Sequence, residues 1–194
     1  MNNIFADCEI NFSEFILKPE YFDFYDKLHD ENHIYRVMFH VLNIGSDLGF
    51  NRETKLAFFA AFIHDLSRQH KGKHIEHGEI AAKEKLPVFI PLFKKNGLID
   101  DDIPFIHNAV CNHSLPVELP ETHSHYKVTA LLKDADALDK VRKSAGDPKL
   151  KSLRFEESKL LIKHAEKLFK LTSGVKINSF DEILILAENI KKID

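Results

Sequence analysis

Apolar residues return every three or four positions along nearly the whole chain, the spacing that lines one face of an α-helix. Ile34, Val37, Val41, Ile44 and Leu48 form the first such stripe, which stops at Gly49, a residue suited to closing a helix in left-handed backbone. Asn51 then offers a cap for a second helix, whose stripe is Leu56, Phe59, Ala60 and Ile63 within an unbroken apolar run. A third helix is predicted over 77–85 and should stop before Pro87, because the residue preceding a proline is pushed off helical backbone. A short helical segment is expected separately over 89–93. Asp100, Asp101 and Asp102 open the next helix, where negative charge complements the positive end of the dipole, and Ile103, Ile106, Ala109 and Val110 give its apolar face.

Val128, Leu131, Leu132, Ala135 and Leu138 mark a fifth stripe. Residues 156–171 are amphipathic through Leu160, Leu161, Ala165 and Leu168 and end near Gly174. Ser179-Phe180-Asp181-Glu182 then matches a capping box for a last helix with Ile183, Leu184, Leu186 and Ile190 turned inward. Pro116 and Pro120 deny a regular helix to 114–126 and leave a loop there. The expected fold is therefore all-α, a single-domain helical bundle spanning 1–194.

The polar residues at the ends of these stripes change the picture. His64-Asp65 follows the apolar run 56–63, so a buried helix would carry a charged pair into the interior. Burying even a neutral polar group without a partner costs on the order of 2–7 kcal/mol. With His33 upstream and Asp136 downstream, two imidazoles and two carboxylates can enclose one divalent cation and leave positions open for water and phosphate. The pair alone is a weak signal in a chain with 12 histidines among 194 residues; its neighbours give it weight.

Those neighbours form an ordered series: Asn32-His33-Ile34-Tyr35-Arg36, Ile63-His64-Asp65-Leu66, Glu76-His77-Gly78, Asn112-His113-Ser114 and Ala135-Asp136-Ala137-Leu138. The order H…HD…H…H…D closely resembles that of the HD-domain superfamily of metal-dependent phosphohydrolases, over about 33–139. The resemblance implies an HD-type bundle with this motif core and the helices of about 156–192 packed on it. It implies His33, His64, Asp65 and Asp136 as ligands of a first metal. Asp134, two residues earlier, is the lesser candidate and would orient a ligand from behind. His77 and His113 match histidines that complete a second metal site in some branches and hold substrate phosphate in others.

The implied cofactor is one or two divalent ions, with Mn, Fe, Co, Ni or Zn suited to imidazole and carboxylate together and Mg an option. The implied reaction is hydrolysis of a phosphomonoester, phosphodiester or phosphoanhydride in a small phosphorylated substrate, a nucleotide above all, by cation-activated water. Asp65 can take the water proton and His113, or a loop histidine such as His123 or His125, can protonate the leaving group. Narrower or rival readings are a dinucleoside polyphosphate hydrolase with a di-iron site, a di-iron oxygenase, and a regulatory module that binds metal and nucleotide without turnover.

Composition adds limits. The formal charge of −3 gives no broad basic field, so a stable nucleic-acid partner is not expected. No apolar stretch approaches the roughly 20 residues that cross a bilayer, and Cys8 and Cys111 are isolated, which suits a reducing cytoplasm. Cys111 is read as core. Arg36, three residues after His33, suits either phosphate or a salt bridge. Arg68 and Lys73 lie in a basic loop that can draw in phosphate or simply be solvated, and Lys140 and Arg142 are candidate phosphate contacts after Asp136. Lys133 and Asp136, three apart, can neighbour one another. His29, His40, His107 and His164 carry no motif support and are read as structural or surface residues.

Overall fold

A computed structural model describes residues 9–72, 75–142 and 150–191 of the chain; Cys8, Lys73 and His74 lie outside them. The described residues form eight α-helices and no strand: α1 Glu31–Leu48, α2 Asn51–Ile63, α3 His77–Lys95, α4 Ile103–Asn112, α5 Tyr126–Leu138, α6 Glu156–Leu160, α7 Ile162–Thr172 and α8 Phe180–Lys191. The all-α expectation holds.

Helix α1 is the centre of the bundle. It packs on α2 and α5, which also touch each other, while α4 bridges α2, α3 and α5. Asp30 caps α1 by accepting from the His33 N–H (3.0 Å), and Gly49 closes it in the left-handed region at φ 68°. From Leu56 to Ile63 helix α2 is apolar all round and buried. It can be so because α1, α3, α4 and α5 cover it. A phenylalanine cluster seals one end: Phe15, from the segment before α1, packs on Phe58, Phe59, Phe62 and Phe93, with ring centroids 5.0–6.3 Å apart. Helix α7 lies on the 3-10 turn Asp139–Arg142, and α8 on α1 and α7, so the C-terminal helices share the same core.

Several local expectations are corrected. Helix α3 does not stop at Pro87 but runs on through Pro87 and Pro91 to Lys95. Both prolines are exposed, so the carbonyls they leave unpaired face water. On the opposite side Leu86, Phe89 and Phe93 continue the buried stripe, and their packing offsets the proline cost. Asn51 is the first residue of α2 and makes no cap; Phe50 precedes it. The acidic run 100–102 forms a 3-10 turn ahead of α4, with Asp102 buried against Arg52. The long amphipathic helix is broken at Leu161 into α6 and α7, which turns Leu160 out to 82% exposure. Glu182 accepts from the Asn178 N–H (2.9 Å), one residue earlier than the capping box requires, and Leu184 and Leu186 are half-buried. Cys111 is half-buried rather than core.

The α1–α2 contact depends on Gly45, where an added Cβ would stand 1.7 Å from the Thr54 Oγ1. Thr54 is itself buried, so neither side can yield without moving a helix. Gly45→Ala is expected to destabilise the protein by about 1–3 kcal/mol, the usual cost of overpacking, read as a fall in the denaturant midpoint. An unchanged midpoint would mean that the two helices are not held at this spacing.

Candidate metal centre

Five helix ends converge. His33 stands in the first turn of α1, His64-Asp65 directly after α2, His77 at the start of α3 and His113 directly after α4, while Asp136 lies one turn from the end of α5. Helix termini suit this purpose because the apolar body of each helix stays in the core while its end reaches a polar space. All six side chains suggested by the sequence are brought together.

His33 Nε2 lies 3.3 Å from Asp65 Oδ2 and 3.6 Å from Asp136 Oδ1. His64 Nε2 lies 3.8 Å from the same Asp65 oxygen. The other oxygen of Asp65 faces a different pair: Oδ1 is 2.8 Å from His77 Nε2 and 3.6 Å from His113 Nε2, which are 2.8 Å apart. One carboxylate thus serves two histidine pairs. His33, His64 and Asp136 place one donor atom each within 4.8 Å of one another, and so do His64, Asp65 and His113.

The ring tautomers are set from behind. His64 Nδ1 donates to the Ala61 carbonyl (2.7 Å) and His113 Nδ1 to the Val110 carbonyl (2.6 Å), leaving each Nε2 a bare acceptor. His33 Nδ1 meets the Asp139 carboxylate at 2.7 Å. His33 Nε2 and His64 Nε2 are buried and have no hydrogen-bond partner. Two orphaned imidazole nitrogens beside the buried Asp65 and the half-buried Asp136 carboxylates fit a divalent cation, which would satisfy all four at once.

The electrostatics agree. Burial would raise the pKa of Asp65, but His64 and then His113, His33 and His77 hold it well below the ordinary carboxylate range. Asp136 is likewise lowered against its burial, by His33, Lys140 and Arg142. Burial drives His64 down to about 3, so it is neutral and ligand-ready. For His33, burial and the Arg142 charge push down but the carboxylates of Asp139 and Asp65 outweigh them, and its pKa is raised. The field that favours a proton there favours a cation equally.

A pocket of about 640 Å³ opens over this centre. Asp65, His77, His113 and Asp136 are among its lining, with Arg68, Lys133, Lys140, Arg142 and Arg154 as its cations. The loop after His113 rims it, through Ser114, Leu115, Pro116 and Glu118. Arg68 is buried, 3.6 Å from Asp65 Oδ1, and donates to the Gly72 carbonyl (2.6 Å). Lys73 lies outside the described residues.

Other candidates are placed elsewhere. Arg36 does not line the pocket: its Nε and Nη2 grip Asp139 (2.5 and 3.0 Å) and its Nη1 donates to Thr172 Oγ1, the salt-bridge alternative. His123 is exposed and His125 packs on Phe105, and neither of these two loop histidines lines the pocket. Asp134 does not orient a ligand. It accepts from the backbone N–H groups of Arg154 and Phe155 and from the Arg154 guanidinium, tying α5 to the segment before α6. Lys133 reaches the Val117 carbonyl and Glu118 instead of Asp136.

Two residues were missed. Asp139 is the carboxylate behind His33, and the i,i+3 spacing Asp136-x-x-Asp139 could have shown it, since ligating histidines ordinarily lean on such a group. His29, read as structural or surface, lines the pocket with Nδ1 3.1 Å from Asp26 Oδ2. Burial lowers it to about 4, so it is a neutral hydrogen-bonding wall. No sequence signal marked it.

A family model described as HD domain matches residues 31–141, more than half of the chain, and includes all six donor residues. The chain belongs to the HD-domain family. No curated protein and no solved structure matches significantly. Among the described residues of this HD domain, no helix is long and apolar enough to cross a membrane.

Two substitutions separate ligand from scaffold. Asp136→Asn should lower metal affinity by well over the 10–100-fold typical of indirect supports while helicity stays intact. Asp134→Asn should leave metal affinity nearly unchanged and instead cost about 1–3 kcal/mol of stability, because the part-buried donors of Arg154 and Phe155 lose their charged acceptor. The reverse pattern in metal titration would exchange the two roles.

Gly78 provides a third check. An added Cβ would stand 2.4 Å from the Val110 carbonyl oxygen and 3.1 Å from His113 Nδ1, exactly where α3 and α4 bring His77 and His113 together. Gly78→Ala should therefore spread that pair and lower metal content more than it lowers helicity, as read by metal analysis and circular dichroism. Normal metal content would show that the pair tolerates separation.

Proposed function

We propose that this HD domain is a metal-dependent phosphohydrolase acting on a small phosphorylated substrate, nucleotides among them, with two divalent ions. The observation that carries the reading is Asp65, whose two oxygens face two separate histidine pairs at the base of a cation-lined pocket. His33, His64, Asp136 and Asp65 Oδ2 would hold one ion, and His77, His113 and Asp65 Oδ1 the other. Ions bound there supply an acidified water and offset charge on phosphoryl oxygens.

The protein's own residues do the rest. Asp139 keeps the proton on His33 Nδ1, so that Nε2 stays a ligand. The Ala61 and Val110 carbonyls do the same for His64 and His113. Arg68 adjoins Asp65 with a guanidinium suited to the phosphate under attack. Asp65 is held so far below the usual carboxylate range that it is a strong ligand and a weak base. His113 Nε2, as a ligand, is not the donor of the leaving-group proton. The buried site accepts phosphate oxygens without needing a side-chain nucleophile.

The test is metal analysis of protein purified without chelator, followed by a panel of phosphomonoesters, phosphodiesters and nucleotides. Close to two ions per chain are expected, His77→Ala with His113→Ala should reduce this to about one, and Asp65→Ala should abolish turnover with helicity retained. A single ion that excess metal leaves unchanged would overturn the two-ion arrangement. Absence of phosphate release across the panel by metal-replete protein would overturn hydrolysis itself.

A further inference from the structure

The cations lining the pocket are not equivalent. Lys133 donates to the Val117 carbonyl and to Glu118, and Arg154 divides its guanidinium between Glu118 and Asp134. Those two charges are already neutralised by carboxylates. On the side of Asp136 the balance differs. Asp139 is the sole carboxylate for two guanidinium groups, Arg36 and Arg142, among the described residues. Arg142 places Nη1 on the Asp139 carbonyl (2.9 Å) and Oδ2 (3.2 Å), yet its Nε is buried without an acceptor, and its side chain is only 5% exposed. Lys140, half-buried and also lining the pocket, has no ion pair among the described residues.

Both stand beside the metal centre: the 3-10 turn Asp139–Arg142 follows α5 directly, and Lys140 and Arg142 line the same pocket as Asp136. Once divalent ions offset Asp65 and Asp136, this flank is left with excess positive charge and a buried, unsatisfied donor. Such a donor points to an oxyanion that arrives with the substrate. The described lining contains no Phe or Tyr, so no aromatic platform competes with phosphate as the main handle.

Resting on the phosphohydrolase reading, we propose that Lys140 and Arg142 form a subsite for a second, non-reacting phosphate, and that the substrate class is compact diphosphates and oligophosphates rather than monophosphates. Arg68 beside Asp65 and the Lys140–Arg142 pair beside Asp136 then take different phosphoryl groups of one molecule. The neutralised Lys133–Glu118–Arg154 wall takes neither.

Calorimetric titration of the metal-loaded protein with inorganic phosphate and with methylenediphosphonate, which resists hydrolysis, tests this, with metal content measured after each titration. Wild type should bind methylenediphosphonate at least tenfold more tightly than phosphate. Lys140→Met should weaken methylenediphosphonate about tenfold, the worth of one charge-assisted contact, and phosphate much less. Arg142→Gln should do the same, and Lys140→Met keeps the test valid if Arg142→Gln unfolds by releasing Asp139. Equal affinities in wild type, or a Lys140→Met effect that is the same for both anions, would overturn the subsite while leaving metal-dependent phosphate binding intact. If neither anion binds the metal-loaded protein, the phosphohydrolase reading falls as well.

Discussion

Asp139 is the carboxylate on which the rest of the centre leans. It is fully buried at the end of α5, and it takes His33 Nδ1, the Nε–Nη2 edge of Arg36 and Nη1 of Arg142 at once. A carboxylate so placed would cost several kcal/mol if any partner were withdrawn. Burial works against its ionisation, but Arg36, His33 and Arg142 hold it far below the ordinary range. Through Arg36 and Thr172 the same group fastens α7 to α1. One side chain therefore fixes the ring of a candidate ligand and closes the C-terminal helices over the bundle, so the centre and the fold are not separable at this point.

Much of this was legible in the chain because the information is local. The stripes on α1, α2, α4 and α5 follow from three- and four-residue spacing, and the ends of those stripes place five of the six donors, His77 standing at the start of α3. The ordered series of His and Asp identified the family before any geometry. What could not be read is what depends on the far side of a contact. Pro87 and Pro91 argue for a helix break until one knows that they face water while Leu86, Phe89 and Phe93 face the core. Arg36 is ambiguous in sequence and becomes a scaffold residue only once Asp139, more than a hundred positions away, is seen against it. Asp134 and Asp136 are two residues apart on one helix and so face different neighbours: one meets Arg154, the other His33. His29 belongs to the pocket wall only through tertiary placement.

The joining of α3 and α4 has its own logic. Each helix contributes one histidine from an end, and the two rings meet with centroids 4.7 Å apart. That distance is possible because Gly78 presents no side chain to the last turn of α4. In the first pair His33 leans on Asp139 while His64, like His113, donates to a carbonyl of its own helix, and α1 and α2 pack on each other. Close packing of a helix pair with a glycine at the contact, Gly45 for α1 and α2 and Gly78 for α3 and α4, thus recurs in both halves of the centre.

The charged groups around the pocket fall into two layers with different surroundings. Asp139 and Arg36 are buried away from the pocket, whereas Glu118, the hinge between Lys133 and Arg154, is half exposed. Mobile ions reach only the outer layer, where the screening length falls from about 8–10 Å at ordinary ionic strength to about 3 Å at 1 M salt, the scale of these contacts. High salt therefore loosens the hold of the 114–118 loop on α5 and on the segment before α6 without disturbing the His33–Asp139 pairing. In brine the entrance and the centre of this protein would behave as two materials, one soft and one unchanged.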